Sequence, residues 1–76
     1  MKVLKAAVVP EHRRHDGISV LTLVDDTADS GGFFLYMHEK PGAPYRYDAW
    51  YESLDEAMES ASKNWGISEG AWQSSR

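Results

Sequence analysis

The chain of 76 residues contains no cysteine, which excludes a disulfide framework, a thiolate nucleophile and zinc sites of the cysteine-rich kinds. Small secreted domains usually need such staples, so a reducing cytoplasm is the expected compartment. Long apolar runs are also missing, since none approaches the roughly 20 residues that span a bilayer. The opening stretch Met1 to Pro10 has a signal-like look. Lys5 breaks its apolar run, however, and the polar Glu11 to Arg14 follows without a small-residue cleavage pattern, so neither a leader nor a membrane anchor is expected. Positive charge is scarce: 8 Lys and Arg stand against 12 Asp and Glu, a formal net charge of −4 that disfavours nonspecific binding to nucleic acid or anionic membrane. Repeats and low-complexity tracts are absent, and Pro and Gly fall where turns are expected.

What is present suits one small folded domain over residues 1–76. A chain of this length buries only about 60% of its unfolded surface, so its large apolar side chains are needed inside. Val3 to Val9 reads as a strand, rich in β-branched residues and stopped by Pro10, which has no amide hydrogen for a ladder. Further strands are expected over 18–24, 33–38 and 45–51, separated by the polar loop Glu11 to Gly17, the turn formers of Asp25 to Gly32, and Lys40-Pro41-Gly42-Ala43-Pro44. The period then changes from two to 3.6. Leu54, Ala57, Met58, Ala61 and Trp65 line one face of a helix over 54–65. Ser53 and Glu56 have capping-box spacing, Gly66 stands where a left-handed stop is least costly, and Glu59 with Lys63 makes an i,i+4 ion pair. The tail, 67–76, is expected to fold back with Ile67 and Trp72 covering an edge of the core, and to fray from Gln73 onward.

Four consecutive strands joined by short loops are expected to be antiparallel, and one helix has only a sheet face on which to bury its stripe. The fold class is therefore α+β, a four-stranded antiparallel sheet in β-β-β-β-α order with the C-terminal helix on one face. With Glu39 opposite Tyr45, alternation places Phe33, Leu35, Met37, Tyr47, Ala49 and Tyr51 under the helix. The other face then carries Phe34 across from Trp50, Tyr36 across from Asp48, and His38 across from Arg46. Aromatics interleaved with polar and charged groups on an uncovered face make these six the candidate binding residues. The plainer reading is a cross-strand pair, Phe34 with Trp50, that stiffens the hairpin beside a minor cluster of Leu21 and Leu23.

Other constellations carry less. His12 and His15 beside Glu11 and Asp16 lack a third strong ligand and read as a solvated turn, and no metal or cofactor is expected. His38 near Asp48 has the parts of a base and its orienter but no nucleophile, oxyanion donor or pocket, so no catalytic residue is assigned. Asp25, Asp26 and Asp29 do not follow a calcium-loop pattern and read as turn residues, while Gly31-Gly32 opens no helix and cradles no phosphate. Base stacking on Phe34, Tyr36 and Trp50 is opposed by the charge of the C-terminal segment, where Glu52, Asp55, Glu56, Glu59 and Glu69 face one base, Lys63.

The run from Asp48 to Trp72 has an Asp-x-Trp strand end, a Ser-Leu-x-x-Ala helix start, a second alanine four residues on, an aromatic-Gly-Ile stop and a closing Trp. In this it resembles a group of small bacterial proteins to which no activity is assigned. The resemblance implies a fold and no chemistry, because each of its elements is a cap, an apolar stripe, a helix stop or a core aromatic. The expected function is a non-catalytic module for binding a protein partner or a second copy through the aromatic face. The alternatives are an acidic, immunity- or decoy-type protein meeting a basic partner through its helix, or a small metal or enzymatic site around the histidines.

Overall fold

Residues 2–74 are described by a computed structural model, in which the second strand runs two residues later than the expected 18–24 and leaves the buried Ile18 in the preceding loop. The strands are β1 (Lys2–Val8), β2 (Val20–Asp26), β3 (Gly32–His38) and β4 (Tyr45–Tyr51), followed by α1 (Leu54–Trp65) and β5 (Gln73–Ser74). All pairings are antiparallel, in the order β4-β3-β2-β1-β5. The class is thus α+β, and the sheet has five strands where four are expected. The fifth arises because Ile67 and Trp72 are buried in the core, which lays the next two residues along the free edge of β1, Gln73 opposite Ala6 and Ser74 opposite Lys5. Gln73 and Ser74 therefore do not fray, whereas the expectation for Ser75 and Arg76 lies outside the described residues. Among the described residues, no helix is long and apolar enough to cross a membrane.

The core gathers Ala7, Val9, Ile18, Leu21, Leu23 and Leu35 from the sheet side with Ala57, Ala61, Trp65, Ile67 and Trp72 from the helix and tail. Leu4, Met37, Tyr51, Leu54 and Met58 pack around it. Tyr47, expected in this set, is exposed at the sheet edge, and Phe33 and Ala49 are only half-buried, because β4 has no outer neighbour and α1 covers the sheet only in part. Leu21 and Leu23 are fully buried on the helix side, opposite Met37 and Leu35, rather than beside Phe34 and Trp50. β2 is apolar on both faces, so alternation within it could not show which side each leucine takes.

The helix starts and stops where its sequence predicts, and of the expected capping box the serine half is seen. Ser53 Oγ accepts the Glu56 amide at 3.2 Å, and Lys63 approaches Glu59 at 3.6 Å. Gly66 takes φ +67°, and a Cβ there would lie 2.8 Å from Arg13 Cγ, so both backbone angle and space call for glycine. Four carbonyls of the last turn find donors. Ile67 N–H reaches Ala61 O at 3.3 Å, Gly66 N–H reaches Ser62 O at 3.0 Å, Arg13 Nη2 reaches Lys63 O at 2.8 Å, and His15 Nε2 reaches Asn64 O at 3.0 Å. The polar β1–β2 loop is therefore a clamp on the negative end of the helix.

His15 also stacks on Trp65 with ring centres 3.8 Å apart and 8° between planes. Its pKa is raised, first by the hydrogen bond to the Asp16 carboxylate and then by the Asn64 carbonyl. Both partners accept hydrogen bonds, so the protonated ring satisfies both. A folded-state pKa above the unfolded one gives stability that is complete below about pH 6.5, the ordinary histidine value, and is lost as pH rises through the raised value. The melting difference between wild type and His15→Gln should therefore shrink from mildly acidic to alkaline buffer. A difference that does not change with pH would assign the role of His15 to its ring stack alone.

Candidate functional site: the open face of the sheet

β3 and β4 position the face that α1 leaves uncovered. Their register pairs Phe34 with Trp50 and Tyr36 with Asp48, as the alternation predicts. At the loop end the register shifts: His38 pairs with Tyr45, and Arg46 is the extra residue of a bulge. The expected opposition of His38 and Arg46 is therefore corrected. The Arg46 guanidinium lies 2.9 Å from Glu39 and 5.3 Å from the ring centre of Tyr47, whose register partner Met37 packs on the core. Tyr45 takes the vacated place and stacks on Tyr36, ring centres 4.1 Å apart and nearly parallel at 5°. Phe34 lies next in line, 5.5 Å from Tyr36.

Trp50 is fixed by a different device. Gly32 sits in β3 opposite Asp26, and a Cβ there would be 2.4 Å from the Trp50 ring and 2.4 Å from the Tyr51 carbonyl oxygen. The indole thus occupies the place of the missing side chain and covers a weak point of the strand. Its Nε1 donates to Ser30 Oγ at 2.9 Å, yet 44% of the residue remains exposed. Tyr45 is 49% exposed, while Phe34 and Tyr36 are half-buried.

His38 closes the row, held at both ring nitrogens. A carbonyl only accepts, so Nδ1 donates to Ala43 O at 2.8 Å, and Nε2 meets the Thr22 hydroxyl at 2.9 Å. This pins the hairpin loop to β2 and occupies the atoms a general base would use. His12 is exposed in the β1–β2 loop, where His15 is engaged by Asp16 and Asn64. Among the described residues, no three His, Asp or Glu side chains are grouped to hold a metal.

By register, two carboxylates share the sheet face of the indole. Asp48 shares its face two residues along β4. Asp26, across Gly32, is only 5% exposed, and its Oδ1 has no hydrogen-bond partner. Asp26 is thus a buried strand residue, not the solvated turn acid expected for it; Asp25 plays the turn role, its Oδ1 accepting the amide and hydroxyl of Thr27. That pairing, the hydroxyl first, lowers the Asp25 pKa. The Tyr36 phenol is pushed the other way, up, chiefly by desolvation and then by Tyr45, Asp26 and Asp48. Both carboxylates are therefore felt at the aromatic row.

The face continues across the sheet. Val24, buried between Phe34 and Val3 in register, supports the row, and Val3 and Val8 are exposed farther out. An apolar hollow of about 410 Å³, lined in part by Ala6, Val8, Val20 and Gln73, lies at the β1–β5 side. Of the six candidate residues, Phe34, Tyr36, Asp48 and Trp50 are brought together, His38 borders them as a structural pin, and Arg46 is turned aside. Tyr45 and Asp26 were missed. Strict alternation from Val20 through Thr22 and Val24 places Asp26 on this face, whereas a bulge leaves no such mark and only the structure shows Tyr45.

Fold and face together define a small α+β domain with one sheet side partly covered by a helix and the other presenting an aromatic row. No family model, no curated protein and no solved structure matches the chain, so no activity comes to it from a relative.

Proposed function

We propose that this chain is a non-catalytic interaction module that docks a protein partner through the open face of its sheet. The observation that carries the reading is the exposure of Trp50 and Tyr45 on a face that α1 does not reach, with both rings held in place, Trp50 over Gly32 and Tyr45 against Tyr36. Rigid aromatics lose little side-chain entropy when a partner covers them, which is why such residues anchor interfaces. The engagement of both His38 nitrogens supports binding over acid-base chemistry. Asp26 and Asp48 disfavour a phosphate backbone as the ligand.

The test is retention of a partner by immobilised wild type, Trp50→Ala and Tyr45→Ala, with sedimentation of each over a range of concentration. Cross-strand pairs contribute up to about 1 kcal/mol, so both variants should stay folded by circular dichroism. Loss of a retained partner, or of concentration-dependent association, in both variants is expected. Equal behaviour of all three proteins would remove this face as the docking surface.

A further inference from the structure

The open face differs in charge from the rest of the chain as well as in shape. Its described strand positions hold two carboxylates, Asp26 and Asp48, and no lysine or arginine, since Arg46 is drawn to Glu39 and Lys5 stands opposite the core residue Leu23. Two copies stacked through this face would set like charges against each other around their aromatic rows, a costly arrangement for a desolvated interface. The charge that complements the face is positive. Asp26 makes this sharper: its carboxylate is almost shut away from water and its Oδ1 has no hydrogen-bond donor, so its charge is poorly compensated from within the chain and favours a cation on the face above it.

We propose, resting on the docking role above, that the partner presents an arginine-bearing basic segment whose guanidinium lies on the Trp50 indole between the Asp48 and Asp26 carboxylates. A guanidinium suits both parts of the site. Its flat, weakly hydrated plane stacks on an aromatic face, and its rim of N–H donors matches carboxylates; an ammonium does the first less well and the second only as a point charge. Asp48 and Trp50 project from the same side of β4 two residues apart, a separation of about 7 Å. A ring-stacked arginine therefore reaches Asp48 without leaving the indole. Tyr36 and Tyr45 border the site on the hairpin side, where the aliphatic stem of the arginine, or its neighbours, finds apolar cover.

Hexa-arginine, hexalysine and hexaglutamate peptides test this on the full chain, by Trp50 indole shifts in NMR and by titration at low and moderate salt. Hexa-arginine should shift the Trp50 and Tyr45 signals, hexalysine should bind more weakly, and hexaglutamate should do nothing. Asp48→Asn should weaken hexa-arginine about fivefold, the scale of one exposed charge contact. The isosteric Asp26→Asn should weaken it as well, with melting no lower than that of wild type showing that the face is intact. Glu56→Gln/Glu59→Gln, on the exposed side of α1, should leave the affinity unchanged.

Equal binding to wild type and Asp48→Asn, or shifts confined to Glu56 and Glu59, would overturn the proposal and favour the acidic helix instead. Failure of hexa-arginine to bind, alongside concentration-dependent association that Trp50→Ala abolishes, would overturn the basic partner while leaving the face as a docking surface. Failure of both measurements would remove both.

Discussion

Trp65→Ala should cost about 3–5 kcal/mol, the usual range for emptying a buried aromatic position. For 76 residues the total stability is about 4–11 kcal/mol, so this one substitution removes a large share of it. Trp65 is buried among the residues that join helix, tail and sheet, and its outer face carries the His15 ring. Removing it leaves a cavity and also frees the loop that supplies donors to Lys63 O and Asn64 O. Urea unfolding followed by circular dichroism measures the change, and Trp65→Phe should recover part of the loss. An unshifted midpoint for Trp65→Ala would show that the helix end is not anchored as described.

Gly32→Ala should be the second most damaging change, although alanine is the smallest side chain that can be added. The new methyl would meet the Trp50 ring and the Tyr51 carbonyl oxygen, both at 2.4 Å. The indole can swing away, with loss of its bond to Ser30; the backbone oxygen can move only if β3 and β4 separate. Overpacking of this kind costs about 1–3 kcal/mol, occasionally more. The contribution of each obstacle can be separated. If the ring alone resists, Gly32→Ala/Trp50→Ala should be no less stable than Trp50→Ala; if the backbone resists too, a deficit remains, and the contact distances predict that deficit. A fully tolerated Gly32→Ala, with the Trp50 fluorescence unchanged, would mean that the ring does not lie over the glycine.

The two positions differ in how much of them was legible in the sequence. Trp65 sits in a 3.6-residue stripe between a serine cap and a glycine stop, and helix bounds, cap, stop and buried stripe all follow from local rules. Helical contacts are made a few residues apart along the chain, so the sequence contains both partners of each contact within one short window. Gly32 reads as part of a turn. Its meaning depends on Trp50, on a different strand, and no local rule links a glycine to an indole across a hairpin. Leu21 and Leu23 show the same limit, since a strand apolar on both sides acquires an inside only when a helix settles on one of them.

The loop end of the candidate site was read one residue out for a related reason. A proline-glycine hairpin is compatible with several registers, and a bulge at Arg46 changes which side chain faces the row without changing the composition of either strand. Tyr45 replaces Arg46 there, and the face becomes more aromatic and more negative than its sequence pattern suggests. The fifth strand was hidden as well: two residues have no recognisable strand pattern, and they pair with β1 because the burial of Trp72 delivers them to its edge.

By itself, the sequence determined the element types, the helix and its ends, the mixed α+β class and the aromatic character of one hairpin face, since each of these follows from periodicity and caps that act over a few residues. The tertiary structure alone decided the bulge, the burial of Asp26 without a hydrogen-bond partner for its Oδ1, the covering of Gly32 by Trp50 and the clamp of the β1–β2 loop on the helix end. These depend on distances between residues far apart in the chain, which are set only when sheet, helix and tail close around a common core.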